Sequence, residues 1–479
     1  MASPFVRSAR RAFAFVAVPA LVALRATGAS AQALAITGGV LIDGTGRAPI
    51  PDAVVVITNG RISAAGPAGG IAVPAGATRI DARGKFLIPG LMDANLHLGL
   101  NVDLESLIRF EHRYDEIVLE AAQIALKTGQ TTVFDTWGPR DALIAVRDRI
   151  NAGRAIGARI FLAGNIIGFS GPLGPDFQGA AAAHVSKAFA KRINDTWEQG
   201  TGRDLLWMPP DSVRAVIRRY AGTGVDFLKY GSSGHVEMNL IGFSERVQRV
   251  IVEEGHRAGL TVQTHTTSPE SLDMAVEAGV DIITHGDISG PVYPIPEETL
   301  RKIKERGIAV SVLAVTARHV AALEQHAPGS VLTPYMKMAR LNDRNMARAG
   351  ITMLVSTDAG IADPVRGPES PTLAADTVDA RVKLGEGHFN ALVALEEAGM
   401  APMEILRSVT SHIARAYRRD RDLGTLEPGK VGDLVILDAD PLASARNYRR
   451  IAFVIKDGKV VDRGALPAAP VISNRPAGR

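Results

Sequence analysis

The feature of this sequence that most constrains its fold is a long central alternation of short apolar segments and helical segments. Each apolar segment has the length and the turn-forming neighbours of a buried strand. Strands that alternate with helices form parallel βα units. We place eight strands at 91–95, 131–136, 159–163, 225–230, 260–264, 281–284, 308–313 and 352–357. Eight such units predict a TIM-like (β/α)8 barrel of the α/β class, with its chemistry at the carboxyl ends of the strands.

The two ends of the chain differ from this centre and are similar to each other. Short β segments separated by turns occupy both ends, with hairpin signals at Asn59-Gly60 and Asp457-Gly458. We therefore expect a small composite β-sandwich domain built from both ends. The predicted boundaries are 1–31 for an export signal, 32–85 and 421–479 for the two parts of the β-domain, and 86–420 for the barrel.

The first residues have the pattern of an export signal. Basic residues precede an apolar region at 12–24, and small residues then lead to a predicted cleavage site after Ala31. The pair Arg10-Arg11 is typical of a twin-arginine signal, and an ordinary secretory signal is the alternative. No later stretch is long and apolar enough to span a bilayer. We expect an exported protein, periplasmic or secreted, without a stable membrane span after signal removal.

Charge and cysteine content exclude several classes of partner and site. The formal net charge of +4 comes from 54 basic and 50 acidic residues without long basic blocks, so nucleic-acid binding is not expected. The chain contains no cysteine, so any metal must be held by nitrogen and oxygen. These donors suit divalent zinc, cobalt, manganese or nickel.

Polar groups converge where the predicted strands end. On the first barrel strand, alternate side chains share one face, so Asp93, Asn95 and His97 point the same way. Five strands end in a residue able to bind a metal: His97, Lys229, His265, His285 and Asp358. A histidine at one strand end is usually structural, but five such ends in one barrel predict a metal site.

The connection between the third and fourth strands, residues 164–224, is much longer than the others and contains five large aromatic residues: Phe169, Phe177, Phe189, Trp197 and Trp207. Two interpretations stay open. The segment covers the active site as a lid or specificity element, or it is an ordinary packed insertion.

Together these motifs resemble the metal-dependent amidohydrolase superfamily, in particular its imidazolonepropionase-like and prolidase-like branch. The resemblance rests on PGLMDANLH, VDFLKY, the two histidine strands, STDAG and the tail LGTLEPGKVGDLVILDADPL. It covers nearly everything after the signal. It implies a divalent metal, zinc first with cobalt or manganese as alternatives, a composite β-domain and a homo-oligomer.

One residue departs from the family pattern. Most of the superfamily has His-x-His on the first strand, whereas this chain has Asn95-Leu96-His97. A neutral amide oxygen is a weaker donor than imidazole, so one of two metal positions loses affinity and one metal becomes more favourable than two. The Asn-x-His form resembles the branch of molinate hydrolase and the phenylurea hydrolases, which cleave thiocarbamate and urea bonds.

The resemblance implies a role for each convergent residue. Asn95 is a weak metal ligand or a hydrogen bonder, and Lys229 is a candidate for carboxylation, or a charged partner of Asp358. Asp358 would take a proton from metal-activated water and pass it to the departing nitrogen, while His285 or His235 would stabilise the oxyanion. The remaining metal ligands implied are His97, His265, His285 and Asp358.

We therefore expect an amidohydrolase that cleaves a C–N bond of an amide, urea or carbamate in a small-molecule or short-peptide substrate. A prolidase-like dipeptidase or an N-acyl amino acid amidase is the enzymatic alternative, and export favours such peptide-like substrates. A catalytically silent ligand-binding barrel is the alternative outside enzymes.

Overall fold

The structure is a computed structural model, and it describes residue 1 and residues 33–99, 104–235, 240–290, 293–330, 332–361, 378–380 and 382–472. The predicted export signal lies outside the described residues, apart from Met1. The predicted strands, site residues and insertion all lie within the described ranges.

The strands fall into an outer sheet and a set of parallel strands. In chain order they are β1 (Ala33–Leu41), β2 (Ile50–Thr58), β3 (Arg61–Pro67), β4 (Thr78–Asp81), β5 (Phe86–Pro89), β6 (Leu91–Leu96), β7 (Gln130–Asp135), β8 (Arg159–Leu162), β9 (Ile166–Ile167), β10 (Phe227–Gly231), β11 (Thr261–His265), β12 (Ile282–Thr284), β13 (Ala309–Val312), β14 (Met353–Val355), β15 (Leu434–Leu437), β16 (Ile451–Lys456) and β17 (Lys459–Val460). Each barrel strand predicted from the sequence begins and ends within two residues of an observed strand.

The outer sheet joins the two ends of the chain. Its order is β17-β16-β15-β5-β1-β2-β3, with β4 paired to β1. β15 pairs antiparallel with β5 through Val435 and Ile88, and β5 pairs parallel with β1 through Phe86 and Val40. Its own apolar core includes buried side chains from both ends, such as Ile36 and Ile436. The composite β-domain predicted from the sequence is therefore present.

The parallel strands form the barrel. They run β6-β7-β8 in one sheet and β9-β10-β11-β12-β13-β14 in the other, with β8 and β9 sharing the third barrel position. Two junctions close the ring. The amide of Asp226 donates to the carbonyl of Leu162 over 2.8 Å, and the amide of His97 donates to the carbonyl of Ala359 over 2.8 Å. The predicted α/β barrel fold is confirmed.

Helices surround the barrel strands. They are α1 (Leu104–Arg109), α2 (Tyr114–Lys127), α3 (Arg140–Asn151), α4 (Lys187–Glu198), α5 (Pro210–Ala221), α6 (Glu245–Arg257), α7 (Pro269–Ala278), α8 (Glu297–Glu305), α9 (Ala317–His326), α10 (Leu332–Ala349), α11 (Gly387–Glu397), α12 (Pro402–Ser408) and α13 (Ser411–Ala416). Over the described residues, none has both the length and the apolarity needed to cross a membrane.

Helix α6 shows why these segments become helices. The Ser244 side chain accepts a hydrogen bond from the amide of Val247, which caps the first turn. Val247, Val250 and Ile251 are buried at helical spacing. The outer face carries the exposed side chains of Arg246, Arg249 and Glu253. The helix ends before Gly259, whose φ of +75° is the left-handed conformation that glycine adopts most readily.

The long insertion contains α4 and α5 and is well packed. Trp197 on α4 is fully buried, and its ring lies 5.0 Å from that of Tyr114 and 6.1 Å from that of Trp137. Trp207, by contrast, is 87% exposed. The insertion is thus anchored to the barrel wall, and some of its aromatic residues also contact the candidate site described below.

Candidate functional site

Closure of the barrel brings the ends of its first and last strands together. Oδ1 of Asp358 accepts hydrogen bonds from Nδ2 of Asn95 and from Nε2 of His97, each over 2.9 Å. Burial lowers the pKa of His97, although the hydrogen bond to Asp358 opposes that shift. Burial alone would raise the pKa of Asp358, but the hydrogen bond from His97 and nearby positive charge hold it well below the usual range. Asp358 is therefore a carboxylate.

Asn95 also connects this carboxylate to Lys229. Nζ of Lys229 donates to Oδ1 of Asn95 and to Oγ1 of Thr136, each over 3.0 Å, and the Thr136 hydroxyl also donates to the Asn95 oxygen. Burial lowers the pKa of Lys229 to about 8, against the opposing effect of Asp358. The amide oxygen of Asn95 thus has two donors already, which favours a hydrogen-bonding role over metal ligation.

His265 and His285 form a second, less saturated half of the site. His265 is the last residue of β11 and His285 follows the neighbouring strand β12, and their ring centroids lie 4.4 Å apart. Nε2 of His265 and Nδ1 of His285 are buried and have no hydrogen-bond partner among the described residues. Burial lowers the pKa of His265 well below its usual value and that of His285 to about 3. Both rings are therefore neutral at pH 7, as metal ligation requires.

Two of the site residues have a left-handed backbone. The φ angle is +40° at His285 and +55° at Asp358, a region that residues other than glycine seldom occupy. His285 follows β12 directly, and Asp358 lies just beyond the end of β14, so the chain turns sharply at both positions where the barrel strands end. Such strain costs roughly 1–3 kcal/mol and is concentrated at functional sites.

His235 lies at the edge of the same site. Its ring centroid is 5.6 Å from that of His265. Nδ1 lies 2.8 Å from the backbone carbonyl oxygen of Asp176, in the long insertion. Because a carbonyl oxygen only accepts, the neutral ring carries its proton at Nδ1 and has a lone pair at Nε2.

Two residues to which the sequence analysis assigns no function organise the site. Thr136 was missed, although its position at the end of the predicted strand 131–136 was a usable signal, and Asp93 was placed only on the strand face shared with Asn95 and His97. Asp93 is fully buried and joins the first strand to the last: its carboxylate accepts from the amides of Asn95 over 3.1 Å and Thr357 over 3.2 Å. It also accepts from the Thr357 hydroxyl over 2.7 Å and from Gln130 over 3.0 Å.

The donors at this site suit a divalent metal. Two buried imidazole nitrogens without partners and one half-buried carboxylate are nitrogen and oxygen donors of the kind that zinc accepts. Across the described ranges, however, no group of three or more His, Asp or Glu side chains is arranged so that it could hold a metal ion. His97 and Asp358 bond to each other through Oδ1 of Asp358, so the buried nitrogens at this site without a partner among the described residues are those of His265 and His285.

Comparison with known proteins gives concordant results. The amidohydrolase family matches the chain over residues 86–461. Ochratoxinase of Aspergillus niger is 24% identical over 453 residues, which cover 90% of this chain and 87% of that protein.

Two solved structures are more similar. Molinate hydrolase has a TM-score of 0.86 and 38% sequence identity, covering 94% of this chain and 98% of its own. Phenylurea hydrolase B has a TM-score of 0.86 and 36% identity, covering 93% of this chain and 100% of its own.

Proposed function

Since the chain belongs to the amidohydrolase family and is an enzyme that hydrolyses C–N bonds, we propose that its substrates are ureas or carbamates. The proposal rests on the presence of Asn95 on the first barrel strand. This residue stands where most of the superfamily has a histidine, and its oxygen is occupied by Lys229 and Thr136. Relatives named for a thiocarbamate and for phenylurea, at 38% and 36% identity, support the same substrate class. The silent-barrel alternative loses its support.

We propose one divalent metal per chain, zinc before cobalt or manganese, held by His265, His285 and Asp358 with His97. Such an ion lowers the pKa of a water molecule and polarises a carbonyl oxygen. Asn95 then acts as a hydrogen bonder between Lys229 and Asp358, and Lys229 remains an uncarboxylated amine.

The protein's own groups supply the proton transfers. The carboxylate of Asp358 accepts the proton of the attacking water and returns it to the departing nitrogen, which is too basic to leave as an anion. His285 and His235 are the proposed stabilisers of the oxyanion.

Metal stoichiometry tests this proposal. For protein purified without chelator, we expect one metal per chain in the native enzyme and two in Asn95→His, which restores the second imidazole. Asn151→His, at an exposed position, is the matched control and should leave the count at one. Two metals in the native chain would contradict the proposal and return the enzyme to the binuclear amidases and dipeptidases.

A substrate panel tests the alternative. We expect an N-aryl urea and a thiocarbamate to be hydrolysed with higher kcat/KM than a Xaa-Pro dipeptide or an N-acyl amino acid. The reverse order would favour the prolidase-like dipeptidase or the N-acyl amino acid amidase.

Export and assembly are also proposals. We propose that residues 1–31 direct the enzyme out of the cytoplasm and that the mature chain forms a homo-oligomer. Cell fractionation with and without the Arg10→Lys, Arg11→Lys double substitution tests export through the twin-arginine route. Light scattering of the purified enzyme gives the oligomeric state.

A further inference from the structure

Four rings form a continuous wall on one side of the candidate site. We call Trp137, Phe169, Phe177 and His235 the aromatic wall. Trp137 and Phe177 are stacked, with centroids 3.9 Å apart and an interplanar angle of 21°. Phe177 lies 5.0 Å from His235, and Phe169 lies 5.3 Å from His265. The wall therefore joins the long insertion directly to one of the proposed metal ligands.

The members of the wall differ in exposure. Trp137 and Phe169 are 2% and 4% exposed, so they form its buried backing. Phe177 is half-buried and His235 is exposed, so these two rings offer accessible surface beside the site. A group bound at the site can thus contact the free surface of Phe177 without displacing the core.

The insertion holds this surface in place through Asp176. The Asp176 carboxylate pairs with Arg203 over 2.7 Å and accepts a hydrogen bond from the amide of Ser170 over 2.8 Å. The carbonyl of the same residue accepts from His235. Because Asp176 directly precedes Phe177, these bonds fix the position of the ring from one side. A fixed ring loses little conformational entropy on binding a ligand.

We propose that Phe177 and His235 form a subsite for a planar aromatic substituent on the substrate nitrogen, with Phe177 as the specificity-determining residue. This inference rests on the proposed hydrolysis of ureas or carbamates. Two aromatic rings in contact gain free energy from the interaction of their π-systems in addition to that from burying apolar surface, whereas a saturated ring of equal size gains only the second. The carboxylate of Asp176 is neutralised by Arg203, so the subsite favours an uncharged substituent.

Phenylurea and cyclohexylurea test the subsite because they carry rings of similar size that differ in planarity. They also differ in the basicity of the leaving amine, but this effect is the same for native enzyme and variant and cancels when their kcat/KM ratios are compared. For the native enzyme we expect kcat/KM to be at least about tenfold higher for phenylurea. In Phe177→Leu this ratio should fall about fivefold, mainly through a higher KM for phenylurea, because the contact stabilises ground and transition states alike. Phe177→Tyr, which keeps the ring, should retain most of the preference.

Phe189→Leu is the matched control. Phe189 is a half-buried phenylalanine of the same insertion, on helix α4, and is not part of the wall. This variant should keep the native ratio. An equal fall in kcat/KM for both ureas in Phe177→Leu would overturn the subsite. So would a native enzyme with no preference for phenylurea.

Direct binding separates this inference from the proposed function. Ligand-observed NMR titration of the native protein and Phe177→Leu with both ureas measures affinity without turnover. If neither urea is hydrolysed but phenylurea binds severalfold more tightly than cyclohexylurea only when Phe177 is present, the subsite stands and the proposed reaction falls. Equal binding of the two ureas to the native protein would refute the subsite, whatever the activity.

Discussion

The two halves of the candidate site are built in opposite ways. Where the first and last strands meet, Asn95, His97 and Asp358 bond to one another, and Lys229 adds a further hydrogen bond. We call this half the strand junction. The pair His265 and His285 keeps two buried nitrogens without partners among the described residues. Buried polar groups are nearly always satisfied. The junction, which also supplies the proposed ligands His97 and Asp358, is therefore held by its own hydrogen bonds, whereas the histidine pair requires a ligand from outside the chain to be satisfied.

The largest effect is expected at the histidine pair. His265→Ala removes a proposed ligand whose Nε2 makes no hydrogen bond to the protein, so little folding energy depends on it. We expect metal content to fall well below one per chain and kcat to fall by about 10³-fold or more. The unfolding free energy of chelator-treated protein should change by only about 1–2 kcal/mol.

Measurement of metal content, turnover and chemical denaturation on one preparation distinguishes the two roles. A variant that keeps its metal and most of its activity, but loses several kcal/mol of stability, would make His265 a structural residue. The contrast between the two halves would then be lost.

The next effect is expected at the junction. Lys229→Met removes a buried donor to Asn95 and Thr136. We expect the unfolding free energy to fall by about 1–3 kcal/mol, because hydrogen bonds from a charged group are lost, with the metal count still at one per chain. Loss of the metal in Lys229→Met would instead indicate a carboxylated lysine. In that case, added bicarbonate should raise the metal content and activity of the native enzyme but not those of the variant.

Much of this contrast was accessible from the sequence, because strand ends follow from apolar periodicity and chain order. The eight predicted strands placed His97, Lys229, His265, His285 and Asp358 at one end of the barrel, as the structure has them. The junction itself was not predictable in detail. Asp93 and Thr357 are 264 residues apart, and their hydrogen bonds exist only because the barrel closes.

The aromatic wall escaped prediction for a different reason. The length and the five large aromatic residues of the insertion indicate either a lid over the site or an ordinary packed insertion, and they do not decide between the two. Local pattern does not distinguish Phe177, which lies 5.0 Å from His235, from Trp197, which is packed inside the barrel wall. Specificity in such a barrel depends on loop conformation, which apolar periodicity does not determine.

His388 is a buried histidine outside the site and can be compared with the histidine pair. Burial lowers the pKa of His388 to about 3, as it does for His285, and Nε2 of His388 donates to the carbonyl of Thr128 over 3.2 Å. Its Nδ1 is also buried without a partner among the described residues, so what distinguishes His265 and His285 is that their two rings lie together, with centroids 4.4 Å apart. The unfolded state therefore binds more protons between about pH 6.5 and pH 3, and stability falls as the pH falls through that range. The maximum slope from this one group is about 1.4 kcal/mol per pH unit.

His388→Gln should flatten this dependence. Between pH 6.5 and pH 5 we expect the native enzyme to lose up to about 2 kcal/mol more unfolding free energy than the variant. Urea denaturation at each pH measures the difference, and the metal content of the variant should equal that of the native chain. A variant with the native pH dependence and a reduced metal content would place His388 with the ligands rather than with the structural histidines.

The smallest effect is expected for the hydroxyl that completes the junction. Thr136→Val keeps the shape of the side chain but removes a donor to Asn95 and an acceptor for Lys229. Since Asn95 and Lys229 still bond to each other, we expect a loss of about 1 kcal/mol in unfolding free energy and less than a tenfold fall in kcat/KM. Thr132→Val, on the strand that Thr136 follows, is the matched control, because its buried hydroxyl has no partner among the described residues. Its stability should be unchanged or slightly increased. If the two variants behave alike, the hydrogen bonds of Thr136 contribute nothing to the stability of the junction. The junction would then be stabilised only by the hydrogen bonds among Asn95, His97, Lys229 and Asp358.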